Sequence, residues 1–332
     1  MCNKEFTVNT NVWPKDGHSK EPDEPLEIHV TYGQNAEDEH KINSVQIESN
    51  TTVTYPSGKL LHPKEYCLKY HIYEEVQSLC VDDYKVLQAL YGESESESEN
   101  KYDIENKLFY NIGTGAFSSI FKNFPKQIAF EKADGEESSY RYLYKYEIIS
   151  KEKLEDTLKR KKKIAEWINV PIGGTLPQKP DEYYAALRSV TIRKANDSRD
   201  EPHENEVIRY GSERCETSFG IKIELIVPDS KKSIHPVSVM KHLLDSVICA
   251  FHGEDEDGNT WKSLEKRFEK DAYEKLWANK SDSWNLLGKQ KYLSSKGWNP
   301  ADEADRLQFG WIVVKQGKDN EYKMSGEIYK WD

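Results

Sequence analysis

The sequence predicts an α+β protein made of two mixed halves, with antiparallel sheets and packed helices. Three observations lead there. Some runs alternate apolar with polar residues, others repeat apolar residues at three and four positions, and a dense group of chain breakers lies mid-chain. At 332 residues the chain has room for two domains of ordinary size. Its hydrophobic fraction is only 36%, but twenty Tyr, ten Phe and eight Trp supply the buriable surface that disordered chains lack.

Residues 1–25 are polar and carry Pro14, Pro22 and Pro25, which predicts a flexible N-terminal segment ahead of a first domain over 26–168. Leu26, Ile28 and Val30 alternate with polar neighbours as in a half-buried strand, and Val45–Glu48 and Thr51–Tyr55 read as two more. Tyr66, Leu68, Tyr70 and Ile72 alternate again and predict a strand. Val76, Leu79, Val86 and Leu90 favour a helix over Glu74–Tyr91. Residues 93–99 alternate Glu with Ser and predict an acidic surface loop. Tyr102–Phe124 is mostly apolar around Gly113 and Gly115, and Tyr140–Ile149 reads as a strand with one wet face.

A helix is expected from Ser150, with Leu154, Leu158, Ala165 and Ile168 as its apolar stripe. Lys159, Arg160, Lys161, Lys162 and Lys163 would lie on the opposite face. Pro171, Gly173, Gly174, Pro177 and Pro180 then predict a linker over 169–180, followed by a second domain over 181–332. There, Tyr183–Leu187 suggests a short helix, Val190–Arg193 a strand and Asn196–Arg214 a charged loop. Phe219, Ile221, Ile223, Leu225 and Val227 alternate cleanly as a strand. Val237–Phe251 reads as a buried helix and Trp261–Trp277 as an amphipathic one. Gly310–Trp331 reads as a hairpin turning at Gly317–Asn320. Lys107–Phe117 can be laid over Lys241–Phe251, matching Lys, Ala and Phe with Asn111 opposite Asp245, as an internal duplication would produce.

The formal charge of −11 disfavours coating of polyanions except where a local basic patch overrides it. No window reaches the roughly 20 apolar residues of a membrane span. The opening residues lack a signal-peptide core, so a cytoplasmic protein without a membrane partner is expected. Five widely spaced cysteines with no CxxC pair predict reduced thiols and exclude a zinc ribbon.

Several groups of residues are candidates for chemistry. Asp103, Glu105 and Asn106 form one cluster, and Lys241 with Asp245 forms K-x-x-x-D at a helix start. Taken together these resemble the RusA-type Holliday-junction resolvases. That resemblance implies a Mg²⁺-dependent nuclease in which the carboxylates hold the cation and Lys241 meets charge developing on phosphate. Cys67, His71 and Cys80, with His62 nearby, supply soft ligands of the kind zinc takes. The cations Lys159 to Lys163 offer phosphate contacts or an acidic-partner surface.

Other patterns carry less. Asp255, Asp257 and Asn259 open like a calcium loop, but Gly258 is misplaced and Lys266 stands where the closing Glu belongs. Glu321 and Lys323, with Asp302 and Asp305, sketch a nuclease triplet that an exposed charged strand explains as well. Trp261, Trp277, Trp284, Trp298, Trp311 and Trp331 suit a core more than base stacking. Neither Gly113-Thr114-Gly115 nor Gly173-Gly174-Thr175 continues as a phosphate cradle, and no nucleophile motif is present. The expectation is therefore an interaction subunit of a larger assembly, with another protein as its partner. The alternatives are the Mg²⁺ nuclease and a nucleic-acid-binding module built on residues 159–163.

Overall fold

The structure is a computed structural model. It describes residues 2–10, 26–34, 42–52, 63–79, 85–93, 104–113, 125–133, 140–195, 200–211, 214–215, 217–232, 234–252, 265–266, 268–279, 281–288, 293–294, 297–298 and 306–331. The chain divides into two compact units, Met1–Leu154 and Glu155–Asp332. The division falls ahead of the predicted 169–180 linker, whose first residues lie inside a paired strand. Among the described residues no helix is long and apolar enough to cross a membrane.

The first unit contains β1 (Cys2–Thr10), β2 (Leu26–Gln34), β3 (Ile42–Ser49), α1 (Pro63–Gln77), β4 (Lys85–Glu93), α2 (Ile104–Gly113), β5 (Gln127–Lys132) and β6 (Tyr142–Ser150). Its strands lie in the order β1-β2-β3-β6-β4-β5. Neighbours are antiparallel except β4 and β5, a parallel pair of the kind a helical crossover such as α2 connects. Helix α1 packs on β2 and β3, and α2 packs on β4 and β5. Leu26, Ile28, Val30, Val45 and Ile47 are buried, as their alternation predicts, and Tyr146 donates to the Leu108 carbonyl at 2.8 Å.

Three expectations for this unit are corrected. Residues 2–10 form β1, paired along its length with β2, where a flexible segment was expected. Tyr66–Ile72 belongs to α1 and is not a strand. Leu68 and Ile72 satisfy both periods, but with buried Val76 and Leu79 they extend a stripe at four, four and three positions that only a helix aligns. The helix predicted for Glu74–Tyr91 ends at Gln77. Val86, Leu87, Ala89 and Tyr91 are instead buried in β4, a strand with neighbours on both sides, where residues 86–89 are buried in succession and show neither period. The acidic residues 94–99 and the Val53–Tyr55 part of a predicted strand lie outside the described residues.

Burial on α1 has one testable consequence. Lys69 is 9% exposed, and desolvation pulls its ammonium from 10.5 down to about 8. Between those values the unfolded chain binds more protons than the folded one, so stability rises with pH across the window. Lys69→Met is expected to raise the protection of α1 amides against hydrogen exchange at pH 7. That gain over the wild type should vanish near pH 10.5.

Helix α3 (Lys151–Lys159) leads into the second unit, where β7 (Lys162–Gly173), α4 (Pro180–Arg188), β8 (Thr191–Lys194), β9 (Glu206–Arg209), β10 (Phe219–Val227), α5 (Pro236–Ala250) and α6 (Lys270–Ala278) follow. A two-residue pair, β11 (Leu293–Ser294) and β12 (Gly297–Trp298), precedes β13 (Leu307–Gln316) and β14 (Tyr322–Lys330). The strand order is β13-β10-β14-β7-β9-β8, antiparallel except for the pairs β10/β13 and β8/β9. Helices α4 and α5 pack together, α4 on β7 and α5 on β13. Trp167, Phe251 and Trp284 are buried in sequence, each ring centroid 5.5 Å from the next. Arg188, also buried, lies 4.8 Å from the Trp284 ring and donates to the Ala250 carbonyl.

The predicted terminal hairpin is split. β13 and β14 both exist, but β10 lies between them, parallel to the first and antiparallel to the second. Turn chemistry at residues 317–320 fits either arrangement. β10, apolar enough for a sheet centre, takes a neighbour on each edge. The charged loop predicted for 196–214 likewise contains β9.

The two units share an order of elements. In the first, β3-β6-β4-β5 lie side by side; in the second, β7-β14-β10-β13 do so with the same directions. Lys85 faces Ser150 where Phe219 faces Lys330, and Gln88 faces Glu147 where Lys222 faces Glu327.

Candidate functional site

The helix expected from Ser150 to Ile168 stops at Lys159, so the five cations do not share a helical face. Arg160 and Lys161 form a turn whose amides donate to the Thr157 and Leu158 carbonyls, and the chain enters β7 at Lys162. Leu154 and Leu158 are buried on α3 as predicted. Ala165 leaves the helical stripe because residues 162–173 pair with β14, and this tertiary pairing overrides local period. Strand geometry then sends alternate residues to opposite sides. Lys161 and Lys163 line one cavity, and Lys162 and Ile164 line another. Exposed Lys159 is paired with Asp156 at 2.8 Å.

The larger cavity, about 330 Å³, lies beside the end of α3, between Leu158 and the polar side chains of three adjacent strands. Glu327 of β14 is its hub. One carboxylate oxygen is 2.5 Å from Lys163 Nζ and the other 3.2 Å from Lys222 Nζ. Lys163 also reaches Glu166 at 2.9 Å, and the Tyr210 hydroxyl donates to that same Glu166 oxygen at 2.9 Å. Lys222 stands 4.9 Å from the centroid of the buried Trp311 ring.

These pairings set the ionisation of the cluster. Burial alone would push the Glu327 carboxyl up, but Lys222 and Lys163 together hold it below the usual carboxylate range. Burial alone would pull Lys163 down, yet Glu327 and Glu166 keep its ammonium above its usual range. Burial, followed by the neighbouring Glu327, raises the Tyr329 phenol far above its usual value. At neutral pH Glu327 stays ionised, Lys163 stays protonated and the Tyr329 phenol keeps its proton. General acid–base catalysis works best when a group's pKa lies near the operating pH.

The smaller cavity, about 160 Å³, is lined by Lys162, Ile164, Tyr210, Gly211, Arg214, Cys215 and Lys330. Three of these described residues are cations. Lys162 and Lys330 are direct partners across the β7/β14 ladder, a like-charge juxtaposition that disfavours pairing. With the Asn285 amide turned so that both its groups are satisfied, its oxygen accepts from Arg214 at 3.2 Å, a neutral contact. Burial, and after it the adjacent Arg214 cation, pull Arg209 below its usual range. Lys161 caps the Trp331 ring at 4.4 Å, and that ring stacks on Phe309 at 4.6 Å.

The other predicted sites are placed as follows. Lys241 and Asp245 meet on α5, 3.3 Å apart, as an ion pair one helical turn long. Glu105, 3% exposed, and Asn106 belong to α2 in the first unit, and Asp103 lies outside the described residues. Cys67 and His71 sit one turn apart on α1, while Cys80 and His62 lie outside the described residues. Burial pushes the Cys67 thiol up to about 11 and pulls His71 down. Among the described residues no three or more His, Cys, Asp or Glu are grouped to hold a metal. Cys67, Cys215 and Cys249 are in no disulfide. Trp284 and Trp311 are core, while Trp277 is half exposed.

Sequence reasoning missed Glu166, Tyr210, Arg214, Lys222, Glu327, Tyr329 and Lys330. A signal for Lys222 was present: it is a charge in the middle of the most apolar strand, at a position whose neighbours on either side are buried. No protein-family model matches the chain, and neither a curated protein nor a solved structure matches it.

Proposed function

We propose that the chain is an interaction subunit, acting by holding a partner in a larger assembly rather than by turning over a substrate. The reading is carried by the cluster around Glu327, which pairs with Lys163 and Lys222 while Lys163 also pairs with Glu166. Such a set fixes three strands together and leaves Glu327 and Lys163 charged through neutral pH. Purification from the native host at low salt is expected to recover the chain in stoichiometric complex. A chain that elutes alone and hydrolyses nucleic acid when Mg²⁺ is added would instead favour the nuclease.

The two halves are read as products of an internal duplication. Their matching strand order and ladder register support this. So does the overlay of Lys107 on Lys241, since each lies the same number of residues beyond the paired positions Lys85 and Phe219. An experimental structure should superpose β3-α1-β4-α2-β5-β6 on β7-α4-β10-α5-β13-β14, and failure to superpose would refute common origin.

A further inference from the structure

We draw no further inference here: the strongest candidate, the buried side-chain cluster at the C-terminal ends of α4 and α5 where the Arg188 guanidinium lies 4.8 Å from the Trp284 ring, carries nothing, because that guanidinium already donates to the Ala250 carbonyl and nothing in the structure shows what ligand it would meet.

Discussion

Gly326→Ala is expected to destabilise the second unit by about 3 kcal/mol, the upper end of the cost of overpacking. Gly326 is buried in β14, opposite Ile223 of β10 on one side and Trp167 of β7 on the other. A Cβ there would stand 2.2 Å from one indole carbon of Trp167 and 2.7 Å from the Lys222 carbonyl oxygen. The indole is wedged against Phe251, and the carbonyl belongs to the β10 backbone, so neither yields cheaply. Urea unfolding followed by tryptophan fluorescence reports on this unit, since every tryptophan except Trp13 belongs to it. The midpoint should fall sharply with the m-value unchanged. In a Trp167→Leu background the same substitution should cost less but still register, because the carbonyl remains. Equal stability of Gly326→Ala and the wild type would mean that β14 does not sit this close to both neighbours.

Glu327→Ala is the second large effect, at about 2 kcal/mol. Removing one partner of a buried ion pair typically costs roughly 3–5 kcal/mol, and the figure is reduced here because Glu327 is 16% exposed and its two lysines more so. Glu327→Gln, which keeps the shape and one acceptor, should cost about half as much. The pH dependence follows from the directions of the shifts. Glu327 is held below its unfolded value, so its contribution is complete above the ordinary carboxylate range and is lost as pH falls through the folded value. Lys163 is held above its unfolded value, so its contribution is complete below the ordinary lysine range and is lost as pH rises through the folded value. The wild type should therefore keep this stabilisation across neutral pH and lose it at both extremes. Glu327→Gln should flatten the acid limb.

Much of the fold was legible wherever one period ran long enough to exclude the other. β2, β10 and α5 each announce themselves this way, the first two by alternation of buried residues over 26–30 and 221–227 and the third by an apolar helix opened by Pro236. Where both periods fit, as for Leu68 and Ile72, only the longer stripe decides, and β4 carries no period because both of its faces are buried. Pairing was less legible still. That β10 separates β13 from β14 depends on contacts between residues some hundred positions apart, which local turn chemistry does not encode.

The site was legible only in part. The run Lys159–Lys163 was identified, but its meaning changed once β7 began at Lys162. A helix would have gathered the cations on one face, whereas the strand divides them between an ion-paired cluster and a cationic cavity. The partners that define each, Glu327 and Lys330, come from the far end of the chain. Single charges on alternating strand positions look like an ordinary wet sheet face until their neighbours are known.

The most direct measurement is the titration of the Glu327 side-chain carboxyl by carbon-detected NMR in the intact protein, assigned by comparison with Glu327→Gln. A cluster built to fix strands together requires Glu327 to titrate below 4.5, its ordinary value, and to stay ionised through neutral pH. A carboxyl that instead takes up its proton near pH 7 would be a poised acid, and the reading of this cluster as structural would fail.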